Sequence, residues 1–128
     1  MSSTYDVVAG VEARGFIFAS AVAQLTGKGF VPIRKSGKLP YQSYSHSYAL
    51  EYGEATLQIH TDALKTGERV LLIDDVLATG GTLGAAAKLI EQCGAIVDSV
   101  AVLMEIDGLG GREKFLASGI KVPITVLI

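Results

Sequence analysis

Apolar residues in this chain come as short, nearly unbroken runs, separated by stretches in which small and aliphatic residues recur at helical spacing. Residues 5–9, 30–33, 69–76, 96–104 and 124–128 form the runs, each of the length and Val/Ile/Leu content of a strand covered on both faces. Residues 15–25 read as a helix whose small side chains permit close packing on a sheet. Residues 82–92 read as a second helix that Gly94 can end, and residues 111–117 as a short third one. Strands alternating with helices predict an α/β fold with a doubly wound, mainly parallel sheet and crossover helices.

One segment breaks the rhythm. Between residues 35 and 58 no period of two or 3.6 is sustained, and residues 41–48 mix tyrosines with serines and a histidine in the manner of a surface loop. Residues 55–60 alternate enough to close the excursion as a strand, so loop and strand together predict a flexible flap of the kind that covers a site. No internal repeat or low-complexity linker interrupts the chain, and residues 15–27 are too few to span a bilayer.

Composition narrows the choices. The 128 residues suffice for one core, so residues 1–128 are read as one domain. A hydrophobic content of 49% with 19% charged residues suggests apolar surface covered by a partner subunit. A net charge of -2 gives no electrostatic footprint for nucleic acid, and the one basic cluster, Arg34, Lys35 and Lys38, suits a small polyanion. Cys93 is the only cysteine, which excludes an internal disulfide and a cysteine zinc site and suits a small buried group on a helix. His46 and His60 have no ligand spacing and are expected at the surface. A cytoplasmic location is the default.

The chemistry is concentrated where the run from Val70 ends in Asp74-Asp75-Val76-Leu77-Ala78-Thr79-Gly80-Gly81-Thr82. Gly80 and Gly81 at a helix start free backbone N–H groups for an anion, and Thr79 and Thr82 add hydroxyl donors. Paired carboxylates closing an apolar run repel one another, so a structural role alone explains them poorly. Ionised, they suit ribose hydroxyls or a hydrated Mg²⁺. The loop lacks the Lys-Ser/Thr ending of a nucleoside-triphosphatase loop. In open α/β sheets ligands gather beyond the carboxyl ends of strands, where residues 10–15, 34–38 and 74–82 all fall. Arg14, near Glu12 with which it could form a surface pair, has a guanidinium fork suited to diphosphate. Gly108-Leu109-Gly110-Gly111 reads as a turn before a helix.

The 74–82 segment resembles the 5-phosphoribosyl-1-diphosphate (PRPP) signature of the type I phosphoribosyltransferases. Three more segments resemble the adenine phosphoribosyltransferases in particular: Gly10-Val11-Glu12-Ala13-Arg14-Gly15-Phe16, Val31-Pro32-Ile33-Arg34-Lys35-Ser36-Gly37-Lys38-Leu39-Pro40 and Leu50-Glu51-Tyr52-Gly53. Their order and spacing fit, over nearly the whole chain. The resemblance implies transfer of the 5-phosphoribosyl group from PRPP to adenine, giving AMP and diphosphate, in a homodimer that uses Mg²⁺. It assigns the 5-phosphate to Ala78, Thr79, Gly80, Gly81 and Thr82, and ribose hydroxyls to Asp74 and Asp75. Diphosphate falls to Arg14, next to a cis peptide joining Glu12 and Ala13, and further PRPP contacts fall to Arg34, Lys35 and Lys38. Glu51 would exchange a proton at the purine N7 and Tyr52 would close over the reacting centre. Mg²⁺ would be carried by PRPP near Asp74 and Asp75, without direct metal ligands from the protein. The family's region ahead of the first strand, a hood around the base, is expected to be missing, which leaves as the alternative a shortened domain that binds PRPP or AMP with little turnover. A purine-responsive DNA-binding regulator on the same fold ranks lowest, as no basic helix-turn-helix segment is visible.

Overall fold

The computed structural model describes residues 4–50 and 53–128. Its elements run β1 (Val7–Val11), α1 (Arg14–Thr26), β2 (Gly29–Lys35), β3 (Ser43–Leu50), β4 (Gly53–His60), β5 (Arg69–Leu77), α2 (Gly81–Gln92), β6 (Ile96–Glu105), α3 (Gly111–Ala117) and β7 (Ile124–Val126). One seven-stranded sheet holds them in the order β3-β4-β2-β1-β5-β6-β7. Strands β2, β1, β5, β6 and β7 pair in parallel, and β4 and β3 add an antiparallel hairpin at one edge.

The alternation of strand side chains sorts the core into two layers. Val70 and Leu72 of β5 join Ala86, Leu89 and Ile90 of α2 in one buried cluster, together with Phe115 of α3. Leu71 and Ile73 join Val8 and the α1 residues Ala19 and Ala23 in the other. Helices therefore cover both faces, as a doubly wound sheet requires.

Three readings of the sequence are corrected at their edges and one in kind. The first strand runs from Val7 to Val11 rather than over residues 5–9, although Tyr5 is buried and the Asp6 amide donates to the Arg69 carbonyl at 2.8 Å. The second strand extends to Lys35, and the last is only Ile124–Val126. The segment read as a loop over residues 41–48 is largely strand β3, paired with β4 over eight positions. Its period was hidden because both faces carry polar groups. Tyr44 and Tyr48 pack against the core while Ser45 and Ser47 are exposed, and Ser47 Oγ meets Thr56 Oγ1 at 2.8 Å while Gln58 Nε2 donates to Ser45 Oγ at 2.9 Å. The flap is thus a hairpin. His46 is exposed as expected, whereas His60 is half-buried, its ring 5.6 Å from Tyr41 and its Nε2 shielded without a hydrogen-bond partner among the described residues. Cys93 caps the C-terminus of α2, half-buried, and burial raises its thiol.

Close packing of α1 on the sheet sets the approach of its N-terminus to the strand ends. A Cβ on Gly10 would stand 2.5 Å from Ala19 Cβ and 3.0 Å from Phe30 Cε1, so the helix packs into the space a side chain on the strand would take. Gly10→Ala is expected to destabilise the fold by about 1–3 kcal/mol through overpacking, read from the urea midpoint. An unchanged midpoint would show that α1 can move off the sheet freely.

Candidate functional site

The carboxyl ends of β1, β2 and β5 open at one edge of the sheet, and the turns that follow them carry the site. After β5 the chain passes through Ala78 and Thr79 to Gly80, whose φ of 84° is left-handed, and then enters α2. Among the described residues no side chain caps this helix start. The first-turn amides of a helix have no partner within it, so this uncapped turn is an anion cradle by construction. A cavity of about 50 Å³ lies in it, lined by Ala78, Thr79, Gly80 and Thr82 among others. Tyr48 of the flap reaches over the loop: Thr82 Oγ1 donates to its phenol oxygen at 3.3 Å, and a Cβ on Gly81 would meet the ring at 3.1 Å. Sequence reading missed Tyr48, since its segment looked like loop.

The two acids divide their work. Asp75 takes a 2.7 Å ion pair from Arg14 Nε on Oδ2 and accepts the Val76 amide on Oδ1 at 2.9 Å. Arg14 therefore turns to Asp75 and not to Glu12, and its side chain stays 79% exposed. Asp74 is only 6% exposed, beneath the start of α1, and accepts the Asp75 amide on Oδ1 at 2.8 Å. Burial first, and the neighbouring Asp75 carboxyl next, push Asp74 up to about 8, against the opposing pull of the Asp75 amide and Arg14. Burial thus favours the protonated form of Asp74. Favouring the protonated form of Asp74 eases the repulsion expected between two adjacent carboxylates.

Glu12, read from the sequence only as a surface partner for Arg14, pairs with other cations. It follows β1 and joins Ala13 through a cis peptide. Its carboxylate, 5% exposed, accepts the Lys35 amide at 2.7 Å and Arg34 Nε at 3.3 Å on Oε1, and Lys38 Nζ at 2.8 Å on Oε2. Burial acts to raise this carboxyl, but the Lys38 ammonium, the Lys35 amide and the Arg34 charge outweigh it and hold it below its usual value. Arg34 also stands 5.8 Å over the Phe16 ring. The cationic segment is therefore tied down at its root, with the Lys35 side chain exposed at its edge. An acid at one strand end, facing three cations at the next, was the available signal. Glu51 and Tyr52, expected in proton transfer and closure, lie outside the described residues.

The proton on Asp74 has a measurable consequence. Its carboxyl ionises near 3.8 in an unfolded chain and near 8 when folded, so between about pH 4 and pH 8 the folded state retains a proton that the unfolded state releases. Stability is then expected to fall as pH rises through that window, by up to about 1.4 kcal/mol per pH unit from this group. Asp74→Asn, neutral at every pH, should flatten the slope in urea unfolding between pH 4 and pH 8. An identical slope in the variant would place the proton elsewhere.

Comparison with known proteins identifies the family. The phosphoribosyl transferase domain family matches residues 2–123. The chain is 57% identical over 118 residues to the adenine phosphoribosyltransferase of Chlorobium luteolum, covering 92% of this chain and 67% of that protein. It is 59% identical over 123 residues to the one from a Nocardioides species, covering 96% of this chain and 64% of the relative. Among solved structures, the Saccharomyces cerevisiae adenine phosphoribosyltransferase, complexed with an imino-altritol bisphosphate and adenine, superposes with a TM-score of 0.91 at 38% identity, covering 99% of this chain and 69% of that one. The chain thus spans about two thirds of the length of the relatives it matches. On sequence and fold together it belongs to the phosphoribosyltransferase family, among the adenine phosphoribosyltransferases.

Proposed function

We propose that the protein transfers the 5-phosphoribosyl group of PRPP to N9 of adenine, releasing AMP and diphosphate in purine salvage. The observation that carries this reading is the convergence, at one sheet edge, of an uncapped glycine-threonine loop, the Arg14–Asp75 pair and the Glu12-centred cationic segment. In this reading Ala78 to Thr82 hold the 5-phosphate, and the fixed loop amides set the height of the sugar above the sheet. Asp75 orients a ribose hydroxyl, while protonated Asp74 holds the Asp75 backbone in place. As the glycosidic bond to diphosphate lengthens and positive charge builds on the sugar, Arg14, Lys35 and Lys38 offset the negative charge of the departing group. Tyr48 and the flap exclude water that would otherwise capture the sugar. By resemblance, Glu51 moves the proton at the purine N7 and Tyr52 closes the centre.

Magnesium enters this scheme as part of the substrate. Among the described residues no three His, Cys, Asp or Glu side chains gather as a metal-ligand group, and Asp75 is already engaged by Arg14. That donor set suits a hydrated cation arriving on the diphosphate, with Asp75 as its nearest carboxylate. A cation bound there would supply positive charge beside the leaving group. The reading includes a cytoplasmic homodimer without nucleic-acid partners. Exposed apolar residues on α1, Ile17 and Leu25, support a second copy covering that face, and no described helix is long and apolar enough to cross a membrane.

A coupled assay with adenine, PRPP and Mg²⁺ tests the reaction: AMP should form, and Asp75→Asn should lower kcat/KM by about 10²-fold with little change in the urea midpoint. Absence of AMP together with absence of PRPP binding by calorimetry would overturn the reading. Glu12→Gln tests the positioning of the cationic segment. Although it adds positive charge to the site, it is expected to weaken PRPP binding about tenfold, equivalent to roughly 1.4 kcal/mol, because Arg34 and Lys38 lose their common anchor. Tighter binding would show that charge, and not placement, governs affinity.

A further inference from the structure

The turn between β6 and α3 was read from sequence as ordinary punctuation, but its position gives it a task. Gly110 caps α3 with a left-handed φ of 66°, and the next residue, Gly111, is buried against the phosphate loop. A Cβ on Gly111 would overlap the Ala78 carbonyl oxygen and stand 2.9 Å from its carbon and 3.2 Å from the Gly80 nitrogen. The requirement is reciprocal, since a Cβ on Gly80 would stand 2.5 Å from the Gly111 carbonyl oxygen and 3.3 Å from its carbon. Two backbones meet here with nothing between them.

What fixes the turn is a two-pronged ion pair. Arg112 Nε donates to Glu105 Oε2 at 3.2 Å and its terminal nitrogen donates to Oε1 at 2.9 Å. Glu105 is the last residue of β6, and the following Ile106 amide donates to the carbonyl of Leu77, the last residue of β5, at 2.9 Å. Strand end, turn and loop thus close a small circuit: Leu77 leads into the loop, the loop rests on Gly111, and Arg112 returns the turn to the end of β6.

We propose that Gly111 and the Glu105–Arg112 pair are positioning residues that hold the 78–82 loop in its anion-binding shape. The proposal rests on the reading of that loop as the 5-phosphate cradle. A loop with two glycines and no side-chain cap has many conformations to lose on binding, and a rigid backing removes that cost before the ligand arrives. The pair is not alone in docking α3, because Phe115 is fully buried in the core and Leu116 packs against it. A half-exposed ion pair contributes little to global stability, so its loss should be felt in the loop before it is felt in the fold.

The experiment compares the wild-type protein with Arg112→Ala, Glu105→Gln and Gly111→Ala by amide hydrogen exchange without ligand, calorimetric titration with PRPP and Mg²⁺, and urea unfolding. All three variants are expected to speed exchange at residues 79–83. Arg112→Ala and Glu105→Gln should weaken PRPP binding about tenfold while the urea midpoint and exchange in β1 and α1 stay near wild type. If Gly111→Ala fails to fold, the two ion-pair variants still decide the matter. Unchanged exchange at residues 79–83, or losses of affinity and global stability that rise together, would overturn the proposal. If the wild-type protein itself binds no PRPP, the functional reading fails, and the exchange data alone decide whether the buttress exists.

Discussion

In-register parallel pairing of β1 with both β2 and β5 is the constraint on which the rest depends. Gly10 lies opposite Pro32 on one side and Ile73 on the other, so the turns after all three strands leave the sheet at one level. The next residues are then fixed in relation to one another: Glu12 beside Arg34 and Lys35, Arg14 beside Asp75, Asp74 beneath the first turn of α1. A one-residue slip of any strand would turn its apolar set away from its helix layer and exchange these polar partners at the same time. Core packing and site assembly therefore enforce the same register.

Within that frame, the charges are arranged so that few of them stand alone. Five of the charged groups at the strand ends are gathered into two knots, Asp75 with Arg14 and Glu12 with Arg34 and Lys38, while burial favours the neutral form of Asp74. A site that must receive a polyanion cannot be assembled from bare cations without internal repulsion. Holding Arg34 and Lys38 on a buried carboxylate supplies order at the cost of some positive potential. Arg14 and Lys35 remain exposed at the rim, where a ligand can reach them.

Much of this was legible in the sequence. The strand runs and helices of the parallel sheet follow from periodicity because they are buried on both faces and have no polar competition. The phosphate loop follows from two glycines and two threonines at a strand-to-helix junction. Strand β3 was not legible, because its edge position lets Ser45, Ser47 and His46 face solvent and its pairing is held by backbone and hydroxyl groups. The partners of Glu12 were missed for a different reason. They lie more than twenty residues away, and only the parallel pairing of β1 with β2 brings them within reach. The proton on Asp74 was hidden as well, since identity and spacing mark a carboxyl group but only burial under α1 determines its charge.

The glycines illustrate how the same composition can carry several distinct demands. Gly10 is required by contact, because α1 packs where its side chain would be; Gly80 is required both by its left-handed backbone and by the carbonyl of Gly111 facing it; Gly111 is required by contact with Ala78 and Gly80. Gly84, in the interior of α2, faces open space and costs helix stability relative to alanine without any such contact. Glycine at 80 and 111 lets two backbones approach one another directly, and glycine at 10 lets α1 settle onto β1. Rigidity at the site is therefore obtained by removing side chains, so that the flexible-looking loop of the sequence is wedged between sheet, helix and turn.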